Sequence, residues 1–165
     1  MAQQSHKWLL FPLFFYYISF DVPLQLTSAE RYYLFNTRAN ASSKYGIGNI
    51  NGVKGLIVLP DNWTLPSGYT FNSGFSSSDD YWWTLNSYTL AQWAVMEAAG
   101  AVFLPAAGRR WGTNLDNLGV QGNYWTSTPS IENRAYSMVF DNVYLSGSNP
   151  GCSNGLSVRL VMEND

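Results

Sequence analysis

One cysteine, Cys152, and one histidine, His6, are all that the 165 residues hold of either type. A single thiol excludes an intrachain disulfide framework, a cysteine-rich zinc site and any two-cysteine chemistry. A single imidazole in a polar N-terminal stretch excludes a His-centred triad and a multi-His metal site. Charge is scarce too: Asp, Glu, Lys and Arg make up 12% of the chain, the formal net charge is -2, and no basic run occurs. That leaves no electrostatic footprint for nucleic acid or for anionic lipid. The longest apolar run, WLLFPLFFYYISF from Trp8 to Phe20, is shorter than the roughly 20 residues that a membrane-spanning helix needs.

Aromatic residues are abundant, with 7 Trp, 11 Tyr and 9 Phe. A disordered chain would not carry so many, and a chain of this length buries a core without metal or disulfide staples. One domain with a short appendage is expected. Tyr and Trp mixed with Ser, Gly and Asn suit a recognition surface, where rigid rings supply contact area and small polar groups adapt around them. An ordinary β-rich secreted domain with polar turns has the same composition.

Residues 1–25 form an atypical hydrophobic N-terminal segment, and residues 26–165 form the domain proper. The polar start with its positive Lys7, followed by a short apolar run, has the outline of a secretory signal or anchor. No small-x-small cleavage site follows, because the next residues are Asp21-Val22-Pro23-Leu24. A buried first strand from Phe14 to Phe20 fits the aromatic and β-branched content equally, and a mistranslated or spliced remnant is the third reading.

Thr27-Ser-Ala-Glu30 is a capping box and predicts a helix over residues 28–37. Residues 36–55 are turn-rich, with Asn51-Gly52 a hairpin-type turn. A short buried strand is expected from Leu56 to Leu59, stopped by Pro60, and a long Gly/Ser loop from Trp63 to Ser87. Thr89-Leu-Ala-Gln92 opens a second capped helix to about Ala99, with Gly100 as its left-handed stop. Ala101 to Leu104 is then a strand, residues 105–122 a polar loop, and Gly122 to Thr128 a strand. Ala135 to Phe140 and Val143 to Ser146 flank Asp141-Asn142 as a two-residue turn, and Leu156 to Met162 closes the chain with Leu156, Val158, Leu160 and Met162 alternating against Ser157 and Arg159. The order predicts an α+β fold in which two short helices pack on a small, mainly antiparallel β-sheet with long loops.

Several phrases together resemble the Fibrobacter succinogenes major paralogous domain family. They are Leu26-Thr-Ser-Ala-Glu30 with Leu34-Phe-Asn-Thr-Arg38, Gly55-Leu-Ile-Val-Leu-Pro-Asp-Asn-Trp63, Glu97-Ala-Ala-Gly-Ala-Val-Phe-Leu-Pro-Ala-Ala-Gly108, Gly122-Asn-Tyr-Trp-Thr-Ser-Thr128 and Gly155-Leu-Ser-Val-Arg-Leu-Val161. The resemblance covers roughly Leu26 to Val161. It implies a C-type-lectin-like fold, a surface or secreted location as in gut Bacteroidetes, a first strand paired with the last, and Trp125 in the core. The chain departs from the family where members carry a Trp-Arg pair before the Leu-Thr phrase and a Trp after the helix Glu; here stand Pro23-Leu-Gln25 and Arg31.

Relatives of that fold narrow the function. Calcium-dependent lectins use a Glu-Pro-Asn or Gln-Pro-Asp loop and a Trp-Asn-Asp phrase, and neither is present; Ser148-Asn149-Pro150 lacks the carboxylate that Ca²⁺ needs. Formylglycine-generating enzymes resemble a paired-cysteine mechanism that one cysteine cannot supply. Variable proteins of diversity-generating retroelements fit better, since residues 109–154 are rich in Asn, Asp, Tyr and Ser. The expected function is therefore a non-catalytic module, without cofactor or metal, that recognises a glycan or a cell-surface receptor protein. The alternatives are a retroelement-diversified receptor-binding protein and a structural pilus or phage-fibre subunit. No nucleic-acid partner is expected, and membrane contact only through the N-terminal segment.

The candidate ligand-binding residues fall in three groups. Trp111, Asn114, Asp116 and Asn117 lie in the loop before the Gly122 strand, where a ring can stack and amides and a carboxylate can meet hydroxyls. Asn123 is a strand-end contact. Glu132, Asn133 and Arg134, with Asp141, Asn142 and Tyr144, flank the C-terminal hairpin, whose Asp-Asn tip suits a left-handed turn. Asp79-Asp80 beside Tyr81-Trp82-Trp83 is read as a solvated loop, because adjacent carboxylates diverge and glycoside hydrolysis needs two facing each other. Arg159 is expected to pair structurally with an inward polar group.

Overall fold

The computed structural model describes Trp8–Leu9 and residues 24–75 and 83–163. The elements in chain order are β1 (Trp8–Leu9), β2 (Leu24–Gln25), α1 (Ser28–Tyr32), β3 (Tyr45–Ile50), β4 (Val53–Val58), β5 (Ser87–Tyr88), α2 (Leu90–Ala98), β6 (Val102–Pro105), β7 (Arg109–Trp111), β8 (Asn114–Asp116), β9 (Gly122–Pro129), β10 (Ala135–Phe140), β11 (Leu145–Ser148) and β12 (Leu160–Glu163). The fold is mixed α+β with two short helices, as expected. Its strands divide among four small sheets and do not form one: β1-β12-β2, β5-β3-β4-β6, β7-β8 and β11-β10-β9. Among the described residues, all pairs of these strands are antiparallel except β3 with β5.

Both capping boxes form. Thr27 accepts from the Glu30 amide while Glu30 reaches back to the Thr27 N–H, and Thr89 and Gln92 do the same for α2. After Tyr32 the first helix loosens into one π-helical turn over Tyr33–Thr37, so the helical segment covers the expected span. A Schellman pair ends α2: Gly100 N–H donates to Glu97 C=O and Ala101 N–H to Met96 C=O, with Gly100 at φ 95°.

The turn-rich reading of residues 36–55 hid a strand. Asn51 (φ 50°) and Gly52 (φ 90°) do form a tight type I′ turn, but β3 leads into it and pairs with β4 along its full length. β3 carries two glycines among its apolar residues, so it shows no alternating pattern. Around it, the β5-β3-β4-β6 sheet is covered on both faces, which explains the unbroken Leu56–Leu59 run. Leu56, Val58, Val102 and Leu104 face Leu34 and Phe35 of the first helix and Tyr124, Met138 and Phe140 of β9 and β10. Ile57 and Leu59 face Trp93 and Met96 of α2, with Trp63, Tyr69 and Phe71 packed around them.

Ser28 N–H donates to Thr128 Oγ1 at 2.9 Å and Ser127 N–H to Leu26 C=O at 2.9 Å, which docks the helix entry on β9. β12 lies between β1 and β2, with Trp8↔Glu163 and Leu9↔Met162 on one side and Leu160↔Gln25 and Val161↔Leu24 on the other. The expected strand from Phe14 to Phe20 and the Asp79-Asp80 pair lie outside the described residues.

Three strand expectations are corrected. Residues 105–122 contain the β7-β8 hairpin. The C-terminal hairpin closes through four residues, 141–144, and not through a two-residue Asp-Asn turn, so its return strand starts at Leu145. Neither Asp141 nor Asn142 is left-handed; Asp141 Oδ1 instead accepts from the Val143 and Tyr144 amides at 2.8 and 3.1 Å. The closing strand is reduced to β12, and its facing is reversed: Val161 is buried, while Val158 and Leu160 are exposed. Ser157 sets that register, since its N–H bonds Asn123 C=O and its C=O receives Trp125 N–H, turning Ser157, Arg159 and Val161 to one face.

Candidate functional site

The β7-β8 hairpin turns on Gly112-Thr113, with Gly112 at φ 59° as the first turn residue of a type II′ geometry requires. Register places Arg109 opposite Asp116 and Trp111 opposite Asn114. Residues directly opposite, and those two apart on one strand, share a face. Arg109, Trp111, Asn114 and Asp116 therefore present together, and Arg110 and Leu115 point the other way. The backbone of Arg110 is tied by two hydrogen bonds to Gly155, which anchors the hairpin.

On this face the Arg109 guanidinium lies 5.0 Å from the Trp111 ring centroid, within cation–π range. Its Nε stands 3.8 Å from Asp116 Oδ2. Trp111 is 59% exposed. The Trp111 ring is thus open to solvent with the Arg109 guanidinium beside it. The loop readings for Trp111, Asn114 and Asp116 missed Arg109, although period-2 alternation links Arg109 to Trp111 once the segment is taken as a strand.

A second cluster centres on Gln121. Asn117 Nδ2 and Asn123 Nδ2 donate to Gln121 Oε1 at 3.4 and 3.1 Å, and Gln121 Nε2 donates to the Tyr144 hydroxyl at 3.2 Å. The backbone fixes Gln121 in place: its N–H donates to Asn117 C=O and its C=O accepts from Gly108 N–H at 2.7 Å. Asn117 makes the bend into this segment at φ 57°. Asn123 is buried and Tyr144 is 42% exposed. Burial first and the Asp141 carboxylate second push the Tyr144 phenol above its ordinary value, against the Gln121 hydrogen bond. Gln121 was not among the expected residues; a lone amide before a strand phrase carries no sequence signal.

The structure thus brings Asn117, Asn123 and Tyr144 together, with Asp141 bracing the Tyr144 amide. Asn142 sits half-buried in the same four-residue turn. Glu132, Asn133 and Arg134 do not join them. Their loop connects β9 to β10 at the opposite end of β10 from Asp141, and its bonds run to the 149–152 segment: Arg134 donates to Asn149 C=O at 3.0 Å, and Asn133 C=O accepts from Cys152 N–H. Six residues of strand separate the two ends, roughly 20 Å at strand rise. The third expected group is therefore split, with Asp141, Asn142 and Tyr144 at one end of β10 and Glu132, Asn133 and Arg134 at the other.

Trp125 is also corrected: it is only half-buried, and its neighbour Tyr124 holds the core place. The Tyr124 ring stacks on Phe140 at 6.1 Å, and its hydroxyl donates to Pro105 C=O at 2.8 Å. Trp125 instead walls a small recess, partly open to solvent, with Leu26, Leu34, Phe35 and Met138. Arg31 and Arg159 also border it, and burial holds both guanidinium groups below their ordinary pKa, with Tyr124 and Glu97 partly offsetting this for Arg159. None of the expected site residues lines it.

Among the described residues no group of three His, Cys, Asp or Glu side chains is placed to hold a metal ion, and no helix is long and apolar enough to cross a membrane. Compared with known proteins, the chain matches no family model, no curated protein and no solved structure.

Proposed function

We propose that this chain is a non-catalytic ligand-binding module, displayed on a cell surface or secreted, with a C-type-lectin-like fold and its binding face on the β7-β8 hairpin and the adjoining loops. One observation carries the reading. Trp111 stands in solvent with Arg109 stacked at its ring and Asp116 beside Arg109. An indole this exposed adds little to folding beyond its contact with Arg109, whereas rigid Trp and Arg anchors are what binding energy concentrates on. The fold assignment is supported by the quoted phrases and by the pairing of N-terminal β1 and β2 with the last strand, as the resemblance implies.

Arrays of glycans and of extracellular protein domains, probed with the full chain and with Trp111→Ala, test the proposal. The expected result is a ligand on one array whose signal falls at least about tenfold in the variant, at unchanged melting temperature and with or without a calcium chelator. Silence on both arrays from folded protein, or equal binding by the variant, overturns it.

A further inference from the structure

The Gln121 cluster is built to a pattern that restricts what it can hold. Gln121 Oε1 is occupied by two amide donors, and one proton of its Nε2 is spent on Tyr144. A hydroxyl is both a donor and an acceptor. By receiving the Gln121 proton, the Tyr144 oxygen is set as acceptor inside the cluster, and its own proton is directed outward. Asn117, exposed at the same place, has spent an amino proton on Gln121, which fixes its amide and leaves its carbonyl oxygen as an acceptor. The patch thus offers one neutral donor and one neutral acceptor, locked by a third side chain that the backbone holds at both its N–H and its C=O.

Charge narrows the choice further. The Asp141 carboxylate lies close enough to act on the Tyr144 phenol, so an anion approaching that phenol meets like charge. A cation finds no open pair of carboxylates here, since Asp141 Oδ1 is engaged by two backbone amides. A group that accepts from Tyr144 and donates to Asn117, without charge, is a hydroxyl, a vicinal pair of them, or an amide; a hydroxylated ring also offers C–H faces beside its hydroxyls. Exposed Leu118, Val120 and Val143 flank the cluster in sequence, supplying apolar surface of the kind that the C–H faces of a sugar ring cover.

We infer that Gln121, Asn117 and Tyr144 form a subsite for a neutral polyhydroxylated ligand, a glycan without carboxylate or sulfate, with Gln121 as the positioning residue that aims the Tyr144 proton outward. The inference rests on the proposed binding function and names its ligand class.

Affinity electrophoresis of the full chain through gels containing xylan, glucomannan, dextran or polygalacturonate tests it. Retardation is expected in at least one neutral polysaccharide and not in polygalacturonate. Gln121→Glu is the discriminating variant. It keeps the size and both asparagine bonds, but its carboxylate turns the Tyr144 proton inward, so retardation should fall at least about tenfold at unchanged melting temperature. Gln121→Leu should lose retardation as well, and Tyr144→Phe should lose it with Gln121 intact. Retardation equal in Gln121→Glu and the parent chain overturns the inference, as does retardation by polygalacturonate alone or by none of the four. A ligand found only on the extracellular-protein array and lost in Trp111→Ala also overturns it, while leaving the proposed binding function standing. Equal binding by Trp111→Ala strikes that function itself.

Discussion

Gly122 and Phe140 face each other across β9 and β10, and the Phe140 ring fills the space where a Gly122 Cβ would stand. The ring cannot retreat. It is fully buried and stacked on Tyr124 in the main core. This contact seats the start of β9, and with it the preceding Gln121, against the rigid centre of the molecule. Gly122→Ala should therefore overpack the core by about 1–3 kcal/mol, read as a lower urea midpoint at constant slope. Combining it with Phe140→Leu, which opens space at the same spot, should cost less than the two changes summed. Simple additivity would mean that the two residues do not touch.

Trp111→Ala and Tyr144→Ala should each weaken ligand binding at least about tenfold and leave the melting temperature nearly unchanged. Both side chains are largely outside the core, and surface truncations normally stay within about 0.5 kcal/mol. If both variants unfold the domain while affinity per folded molecule stays constant, the site assignment is wrong.

The elements that local chemistry dictates were legible in the sequence. Thr27 with Glu30, Thr89 with Gln92, Asn51-Gly52 and Gly100 each act within a few residues, and each is found as read. What failed depends on neighbours distant in the chain. β3 draws its order from β4 on one side and β5 on the other. The facing of residues 156–161 is decided by Ser157 bonding Asn123 and Trp125, and no alternation count contains that fact. The site divides in the same way. Trp111, Asn114 and Asp116 were readable as a polar aromatic cluster, but Arg109 needed the hairpin register. Gln121 needed Asn117 and Tyr144, which lie 4 and 23 residues away. Glu132 to Arg134 look adjacent to the hairpin in sequence, yet a full strand carries them to its far end.

Thr89→Ala should cost about 1 kcal/mol, the usual worth of a side-chain N-cap. Thr89 N–H donates to Gln92 Oε1 at 2.8 Å, and the threonine oxygen accepts from the Gln92 amide at 3.3 Å. Losing the hydroxyl leaves that amide to water at the end of a nine-residue helix. Thr89→Ser should recover most of the loss in a denaturant titration. An alanine variant as stable as the parent would show that the packing of Trp93 and Met96 alone holds α2.

Alkaline pH should unfold the protein through its buried phenols. Burial pushes the Tyr88 hydroxyl up to about 12 from its ordinary 10.0, and it pushes Tyr124 up further. In the unfolded chain both titrate near the ordinary value, so above about pH 10 the unfolded state loses protons that the folded state keeps. Unfolding then releases protons, and stability falls as pH rises. The contribution is complete below pH 10 and drains away as pH climbs through about 12. Urea midpoints measured at rising pH should decline across that window, and buried phenolate absorbance should emerge together with the loss of circular dichroism. Tyr88→Phe removes one of the two groups and should flatten the decline, even though it also gives up the Tyr88 hydrogen bond to Thr70 C=O and starts from lower stability. An unchanged slope in that variant would mean that Tyr88 ionises as freely in the folded protein as in the open chain.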